Sequence, residues 1–514
     1  MSLVTNVAWR HFALIVLLAS VVRAGVLVAG VDSLTADPDA YRAIARCLAS
    51  HGVLGLEGID VSTGNAKAFP TAYRPPLYPA VLSLLVNSTG QLPNISIAIL
   101  HWAVGILTVA ATYLAAGRLL ALTFPQAAPQ RLRIATAVAA GLVIIDPLLL
   151  QASCLVMTET LAALLVAIGF CSWLGLVDCL AQHPPASHRK WLMATAMVGL
   201  TMGMAYLCRP TFILWPVILA GYLIGQAVYR LRPRPALAGV GMMLIVGTIV
   251  SLWTARNFRH YQQPIWATTH GGYTLLLGNN PSFYQFLQSP GNFGKAWNAD
   301  AFFDSWQHRW AANPRQATFW SDERASSAPL LSPTQGELPT QGESLTQGEI
   351  AEDRLAYRAA VATIQADPQT FLRACWWRMR RLHSPLPLRT GDRTPASILT
   401  VAGFYGMLLG MTVLGLWQAR GQLLGAHWAA AVALWAALVA VHIFYWTDMR
   451  MRAPAVPILS ILAASALLVP MRPSTFATAS NPNARTGEPA RTGSLAGTVT
   501  TDHSAQSTIP TAAS

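Results

Sequence analysis

About ten times along this 514-residue chain an apolar stretch runs for roughly 20 residues, the length that crosses about 30 Å of hydrocarbon. The stretches lie near residues 11–30, 95–117, 134–151, 156–177, 191–208, 211–228, 236–254, 397–417, 423–446 and 453–470. Such a chain folds with most of its length in a bilayer, as helices that satisfy their own backbone hydrogen bonds. Only 11% of residues are charged, against about 25% in a soluble domain. The expected fold class is an all-α polytopic membrane protein of about ten transmembrane helices. The first stretch reads as a retained helix, because its apolar run is long and no small-x-small cleavage site precedes a soluble chain.

A net charge of +13 could suggest a nucleic-acid partner, but the basic residues sit in short connections rather than on one clustered face. With the amino terminus inside, Arg10, Arg118, Arg131, Arg133, Arg189, Lys190, Arg230, Arg232, Arg234, Arg420 and Arg472 fall on the cytoplasmic side. The opposite short connections carry Arg209, Arg450 and Arg452. This places two long segments, 31–94 and 255–396, outside, and makes the chain an integral multi-pass protein of the plasma (inner) membrane.

The layout expected is a membrane module over 1–255 with a helical first outer loop (31–94), a large mixed outer loop over 256–396, membrane helices over 397–472, and a disordered tail over 473–514. The large loop contains a low-complexity insert near 326–350, where Thr-Gln-Gly-Glu recurs three times between 332 and 349. Such a polar repeat is expected to be disordered and to carry no chemistry. Arg373, Arg378, Arg380 and Arg381 with Trp376 and Trp377 read as an interfacial helix anchored at lipid headgroups. Six scattered cysteines indicate neither a disulfide framework nor a zinc site, and His101 and His442 within spans read as helix-packing residues.

Topology turns isolated charges into a constellation. Asp37, Asp39 and Arg74 lie in the first outer loop, Glu159 opens a span, Arg209 joins two spans, Arg256 and Asn257 follow another, and Asp448, Arg450 and Arg452 join the last pair. All are expected at the outer face, around a polar cavity. Each has a plainer reading too. Asp37 and Asp39 could cap a helix over 40–50, and Arg209, Arg450 and Arg452 could snorkel to headgroups. Glu159 should face the protein interior, because a carboxylate entering hydrocarbon costs roughly 2–3 kcal/mol.

These residues stand in a recognisable order. Asp37-Pro-Asp39-Ala-Tyr41 is followed by Arg74-Pro75-Pro76-Leu77-Tyr78-Pro79, Thr158-Glu159-Thr160, Arg209-Pro210-Thr211, Arg256-Asn257 and Gly278-Asn279-Asn280-Pro281. The order resembles the GT-C superfamily of membrane glycosyltransferases, in particular the bacterial dolichyl-phosphate-mannose protein mannosyltransferase-like and aminoarabinose-transferase-like enzymes. The resemblance covers roughly residues 10–285 and 445–457. It implies a GT-C fold, a donor sugar on polyprenyl phosphate, and a lipid, glycan or protein acceptor on the non-cytoplasmic side. The family's acidic residue in the first outer loop matches Asp37, whereas Asp39 departs from many relatives.

The residue types suit that chemistry. A carboxylate can take the acceptor's proton, a step worth about 10² to 10⁴ in rate, and arginines can stabilise a leaving phosphate. The candidate catalytic residues are Asp37, Asp39 and Glu159. The candidate substrate-binding residues are Tyr41, Arg74, Tyr78, Arg209, Arg256, Asn279, Arg450 and Arg452. Asp37, Asp39 and Glu159 also offer hard oxygens to Mg²⁺ or Mn²⁺, although arginines can neutralise a phosphate without a metal, and no obligatory metal is expected. A transporter or flippase of lipid-linked saccharides and an O-antigen polymerase or ligase are the alternative readings. A transporter should show repeated spans and ionisable groups near the midplane.

Overall fold

The structure is a computed structural model and describes residues 2–59, 64–182, 186–292, 295–300, 302–304, 306, 345–387 and 394–468. Among the described residues each of the ten apolar stretches contains helix, but not all are simple spans. Eight helical segments among the described residues are long and apolar enough to cross a membrane. They begin with α1 (Ser2–Gly30), α4 (Asn94–Thr123), α7 (Glu159–Ala181), α8 (His188–Cys208), the segment Pro210–Arg230 and α10 (Pro233–Tyr261). The last two are Pro395–Ala419 and Met449–Leu468.

The stretch expected over 134–151 is instead a bent pair, α5 (Pro129–Ile145) and α6 (Pro147–Ser153), with a 47° break. The break has a local cause. Asp146 precedes a proline, which disfavours helical backbone at that position, and its Oδ1 accepts the Leu149 N–H at 2.9 Å to cap α6. Its Oδ2 accepts the Tyr405 hydroxyl at 2.6 Å. The stretch expected over 423–446 contains a shorter apolar helix, Ala429–His442. At about 1.5 Å per residue, 14 residues fall short of a full crossing.

A charge lies deep in this bundle. Arg23 of α1 is 2% exposed, donating from Nη1 to Ser153 Oγ (3.2 Å) and from Nη2 to the Val143 carbonyl (3.4 Å). It packs against Gly105 so closely that a Cβ there would meet the guanidinium at 2.6 Å. The apolar core around it and beyond includes Trp173, Trp215 and Trp428, all fully buried. The indole N–H groups of Trp173 and Trp215 reach the carbonyls of Ala426 and Ala430.

The first long connection is helical as expected, with α2 (Tyr41–His51) and α3 (Leu77–Ser83). It also contains an unexpected antiparallel hairpin, β1 (Gly55–Ile59) with β2 (Ala66–Pro70), in register Gly55 with Pro70. The second connection holds α11 (Gly271–Leu277), α12 (Pro281–Gln288), and two further helices that we label α13 (Leu345–Ala366) and α14 (Pro368–His383).

Two expectations for that second connection need correction. The third Thr-Gln-Gly-Glu copy is not a disordered appendage: 345–349 form the first turns of α13, and Glu349 docks on the first connection. The first two copies and the tail over 473–514 lie outside the described residues. The second correction concerns α14, which is only partly a lipid-facing anchor. Leu372 and Trp376 are exposed, but Trp377, Arg378 and Arg381 are buried against protein. Arg378 Nε donates to the Ile443 carbonyl (2.7 Å) and its Nη1 to the Gly278 carbonyl (2.6 Å). The helix is amphipathic, with Arg373 and Arg380 exposed and Arg378 and Arg381 turned to protein, so the interfacial reading holds for one face only.

Candidate active site

Asp37 and Asp39 open the first connection in a tight turn, where the Ala40 N–H returns to the Asp37 carbonyl at 3.2 Å. Ala40 itself has φ +57°, a left-handed conformation that swings the chain into α2. The two carboxylates then part company. Asp37 Oδ2 accepts the N–H groups of Arg42 (2.9 Å) and Ala43 (3.1 Å), so Asp37 caps α2. Its Oδ1 is buried and has no partner among the described residues. Burial raises the Asp37 carboxyl above its ordinary value, against the lowering effect of those backbone N–H groups. Asp39 pairs instead with Arg74, Nη2 to Oδ1 at 2.6 Å, and the Arg74 Nε also donates to the Asp39 carbonyl at 3.1 Å.

Glu159 sits at the first turn of α7, where its charge meets the positive end of the helix. Its side chain is 2% exposed, and Oε1 is shared by Arg209 Nη1 (3.4 Å) and Arg450 Nε (3.5 Å). The arginines arrive from separate segments. Arg209 is held in extended backbone between α8 and Pro210, and Arg450 stands in the 3-10 turn Met449–Ala455, which Asp448 caps through the Arg450 N–H at 2.7 Å. The remaining contacts of the two guanidiniums are poor. Arg209 Nη2 points at the Met451 sulfur (3.3 Å) and Arg450 Nη1 at the Met157 sulfur (3.0 Å), and thioethers are weak acceptors. Glu159 Oε2 and the Thr160 and Thr211 hydroxyls are buried without partners among the described residues.

Tyr41 joins the two groups. Its ring lies under the Arg74 guanidinium at 5.7 Å, and its hydroxyl feels the charges of Arg74, Asp39, Arg209 and Glu159. Burial pushes that hydroxyl well above its usual range. Asp39, Tyr41, Arg74, Glu159, Arg209 and Arg450 thus share one end of the bundle. Burial argues against snorkelling for two of the three arginines, Arg209 at 14% side-chain exposure and the fully buried Arg452, while Arg450 is 37% exposed in its side chain.

Other expected site residues have protein partners. The Tyr78 hydroxyl meets His101 Nε2 at 2.8 Å, while His101 Nδ1 meets the Ser153 carbonyl at 2.7 Å. Arg256 donates to the carbonyls of Thr71 (2.9 Å) and Leu54, and tethers the hairpin to α10. Asn279 is fully buried, with its amide on the carbonyls of Leu275 (2.8 Å) and Phe444 (3.0 Å). Arg452 donates to the Leu382 carbonyl at 2.8 Å and lies over the Tyr405 ring at 4.3 Å.

The sequence pattern leaves two nearby residues unmarked. Glu349 accepts the Thr71 hydroxyl (2.8 Å), the Ala72 N–H (3.1 Å) and the Thr269 hydroxyl, locking α13 onto the segment that leads into Arg74. His270 stacks edge-on with Tyr73 at 4.7 Å, and Tyr73 in turn lies under Arg74 at 4.4 Å. The repeat masked Glu349, whose one available signal was that its copy runs directly into the helical pattern of 350–366.

Among the described residues no three His, Cys, Asp or Glu side chains gather as a metal-ligating group. Asp39 and Glu159 are each paired with arginine, and Asp37 has one oxygen committed to its cap. As arranged, the three carboxylates do not fit a shared Mg²⁺ or Mn²⁺ ligand set.

The family model of dolichyl-phosphate-mannose-protein mannosyltransferases matches residues 78–233. No curated protein sequence matches the chain. Among solved structures, the chain is similar to the apo oligosaccharyltransferase of Archaeoglobus fulgidus, with 14% identity and a TM-score of 0.49 over 88% of this chain and 50% of that one. The archaeal oligosaccharyltransferase AglB from the same organism, in complex with an inhibitory peptide and a dolichol-phosphate, gives 16% identity and a TM-score of 0.48 over 88% and 50%. ArnT from Cupriavidus metallidurans bound to undecaprenyl phosphate gives 18% identity and a TM-score of 0.34 over 84% and 77%. The chain therefore spans about half the length of the archaeal enzyme.

Proposed function

From the premise that this chain resembles the GT-C membrane glycosyltransferases, we propose that it moves a sugar from a polyprenyl-phosphate donor to a lipid, glycan or protein acceptor. The donor class is supported by the mannosyltransferase family model over 78–233. Transfer on the non-cytoplasmic side is supported by the excess of basic residues in the connections at the other end of the bundle, such as Arg118, Arg131, Arg133, Arg230, Arg232 and Arg234.

The observation that carries the reading is the Glu159 cluster. Two arginines share one buried carboxylate oxygen, and each turns a further nitrogen, Arg209 Nη2 and Arg450 Nη1, only to a thioether. A phosphate entering here would give those donors strong, charge-assisted acceptors. The polar groups also gather at one end of the bundle, as a lipid-phosphate site requires, rather than near the midplane as a transport pathway would.

The reaction is a single inverting displacement. The acceptor hydroxyl or amine gives its proton to the unpartnered Oδ1 of Asp37 as its lone pair bonds to the anomeric carbon. The bond from that carbon to the phosphate oxygen breaks, and the leaving polyprenyl phosphate keeps the electron pair. Arg209 and Arg450 stabilise its growing charge, while Asp39 fixes Arg74 and Tyr41 beside the sugar. No step is routed through a divalent cation. The test is transfer by purified protein from a polyprenyl-phosphate sugar, paired with mass spectrometry of lipid-linked sugars in cells with and without the gene. Accumulation of one polyprenyl-phosphate sugar on deletion supports the reading, and unchanged lipid-linked sugars together with no transfer would refute it.

A further inference from the structure

Arg381 and Arg452 are 7% and 0% exposed. Arg452 Nη1 donates to the carbonyl of Leu382, the residue after Arg381, so the 3-10 turn and the end of α14 are tied together with both guanidiniums at the joint. Nε and Nη2 of Arg381 and Nε and Nη2 of Arg452 are all buried with no hydrogen-bond partner among the described residues. Two buried like charges repel, and burial lowers the Arg381 guanidinium below its ordinary value against the raising effect of Asp448, with Arg380 and Arg452 adding to the lowering. Asp448 faces both arginines, but its Oδ1 is taken by the Arg450 N–H. The Trp377 ring, 5.8 Å from Arg381, eases the burial without supplying an acceptor, while Arg452 lies 4.3 Å from the Tyr405 ring and also feels the Tyr405 hydroxyl and Asp146.

Two guanidinium forks, whose four buried N–H donors lack hydrogen-bond partners among the described residues, suit a tetrahedral oxyanion. We infer that Arg381 and Arg452 form a second anion site, which takes a phosphate group and is separate from the Glu159 cluster on the other side of the 3-10 turn. The occupant is a phosphate monoester or diester, carried on a lipid headgroup or free in solution. The site rests on the proposed glycosyltransferase reading only in the choice of a lipid phosphate as one probe.

Thermal melting of the full-length protein in a non-ionic, phosphate-free detergent tests it. One arm compares inorganic phosphate with chloride at equal ionic strength, and the other compares a polyprenyl phosphate with the matching polyprenol. Stabilisation of the wild type by inorganic phosphate points to a free anion, and stabilisation by the polyprenyl phosphate alone points to a lipid headgroup. Arg381→Gln should melt no lower than wild type without anion, because one of two repelling charges is gone. Its anion affinity should fall about tenfold or more, the worth of charge-assisted hydrogen bonds. Arg381→Lys should keep the fold and lose much of the affinity, since one ammonium cannot reproduce the fork. Because the Glu159 cluster would also take a phosphate, the shift is read in an Arg450→Gln background, where it should persist and be lost on adding Arg381→Gln.

The inference is overturned if neither anion stabilises the wild type, or if adding Arg381→Gln to Arg450→Gln leaves anion binding within twofold. It is equally overturned if Arg381→Gln melts lower without anion, since Asp448 would then be the true partner. Loss of anion binding in Arg381→Gln alongside no sugar transfer by wild type would leave this site standing and remove the glycosyltransferase reading instead.

Discussion

Asp37 holds two backbone N–H groups with one carboxylate oxygen and keeps the other buried and unpartnered. Capping and proton acceptance are therefore carried by different atoms of one side chain, and a substitution can separate them. Asn caps a helix about as well as Asp but cannot take a proton. Asp37→Asn is expected to express and melt like wild type while sugar transfer falls by about 10² or more, read from purified protein with a polyprenyl-phosphate sugar. Glu159→Gln should behave differently. It leaves Arg209 and Arg450 without their carboxylate in a buried site, so destabilisation of about 3–5 kcal/mol should accompany lost transfer, visible in thermal melting. Equal melting temperatures for Glu159→Gln and Asp37→Asn would contradict that assignment. At this scale the sequence is informative about cost and mute about partners. Glu159 was legible because an unpaired carboxylate at a span end is expensive. Nothing in the residues distinguishes Arg209, whose donors lack good acceptors, from Arg256, whose donors are met by the carbonyls of Thr71 and Leu54.

Helix α13 shows what an element adds. Its Glu349 bonds to Thr71, Ala72 and Thr269, and Asp353 accepts the Gly272 N–H at 2.7 Å, so one acidic face docks on both connections. Deleting 332–344 should leave transfer largely intact, whereas deleting 332–349 removes Glu349 and should lower it severalfold, because the segment entering Arg74 loses its clamp. Equal activity of the two deletions would show that Glu349 does not matter. The docking should also depend on pH. Burial raises Asp353 from 3.8 to about 6 and raises Glu349 as well. A raised carboxyl binds its proton more tightly in the docked state. Its contribution to docking is thus fullest below 3.8 and is lost as pH rises through about 6. Hydrogen exchange of 348–360 should show stronger protection at pH 5 than at pH 7.5 after correction for the intrinsic exchange rate. Helix periodicity made the body of α13 legible from residue 353 onward. Its first turn was hidden because low complexity usually signals a segment that cannot bury a core, and three bonds from a single glutamate overrode that tendency.

At the scale of the whole molecule, hydropathy made the helical bundle legible, and the departures have physical causes. Asp146-Pro147 breaks one apolar run, and the turns flanking Ala429–His442 shorten another. Hydropathy cannot see either, because it averages over the residue that bends the chain. Orientation rests on the basic connections and has a direct check. In a cysteine-free background, Gly64→Cys should react with a membrane-impermeant thiol reagent from outside, and Arg131→Cys should not. The reverse pattern would place the acidic loop in the cytoplasm and exclude the proposed donor side. The bundle also constrains the order in which it is made. Arg23 leaves the ribosome with the first helix, but its acceptors, Val143 and Ser153, are synthesised more than a hundred residues later. Until they arrive, α1 carries a bare guanidinium worth about 2.5–3.5 kcal/mol against insertion. The nascent chain must therefore hold its first helix beside the insertion machinery until α5 and α6 emerge, and fragments ending before residue 143 should be recovered bound to that machinery or degraded rather than free in the lipid.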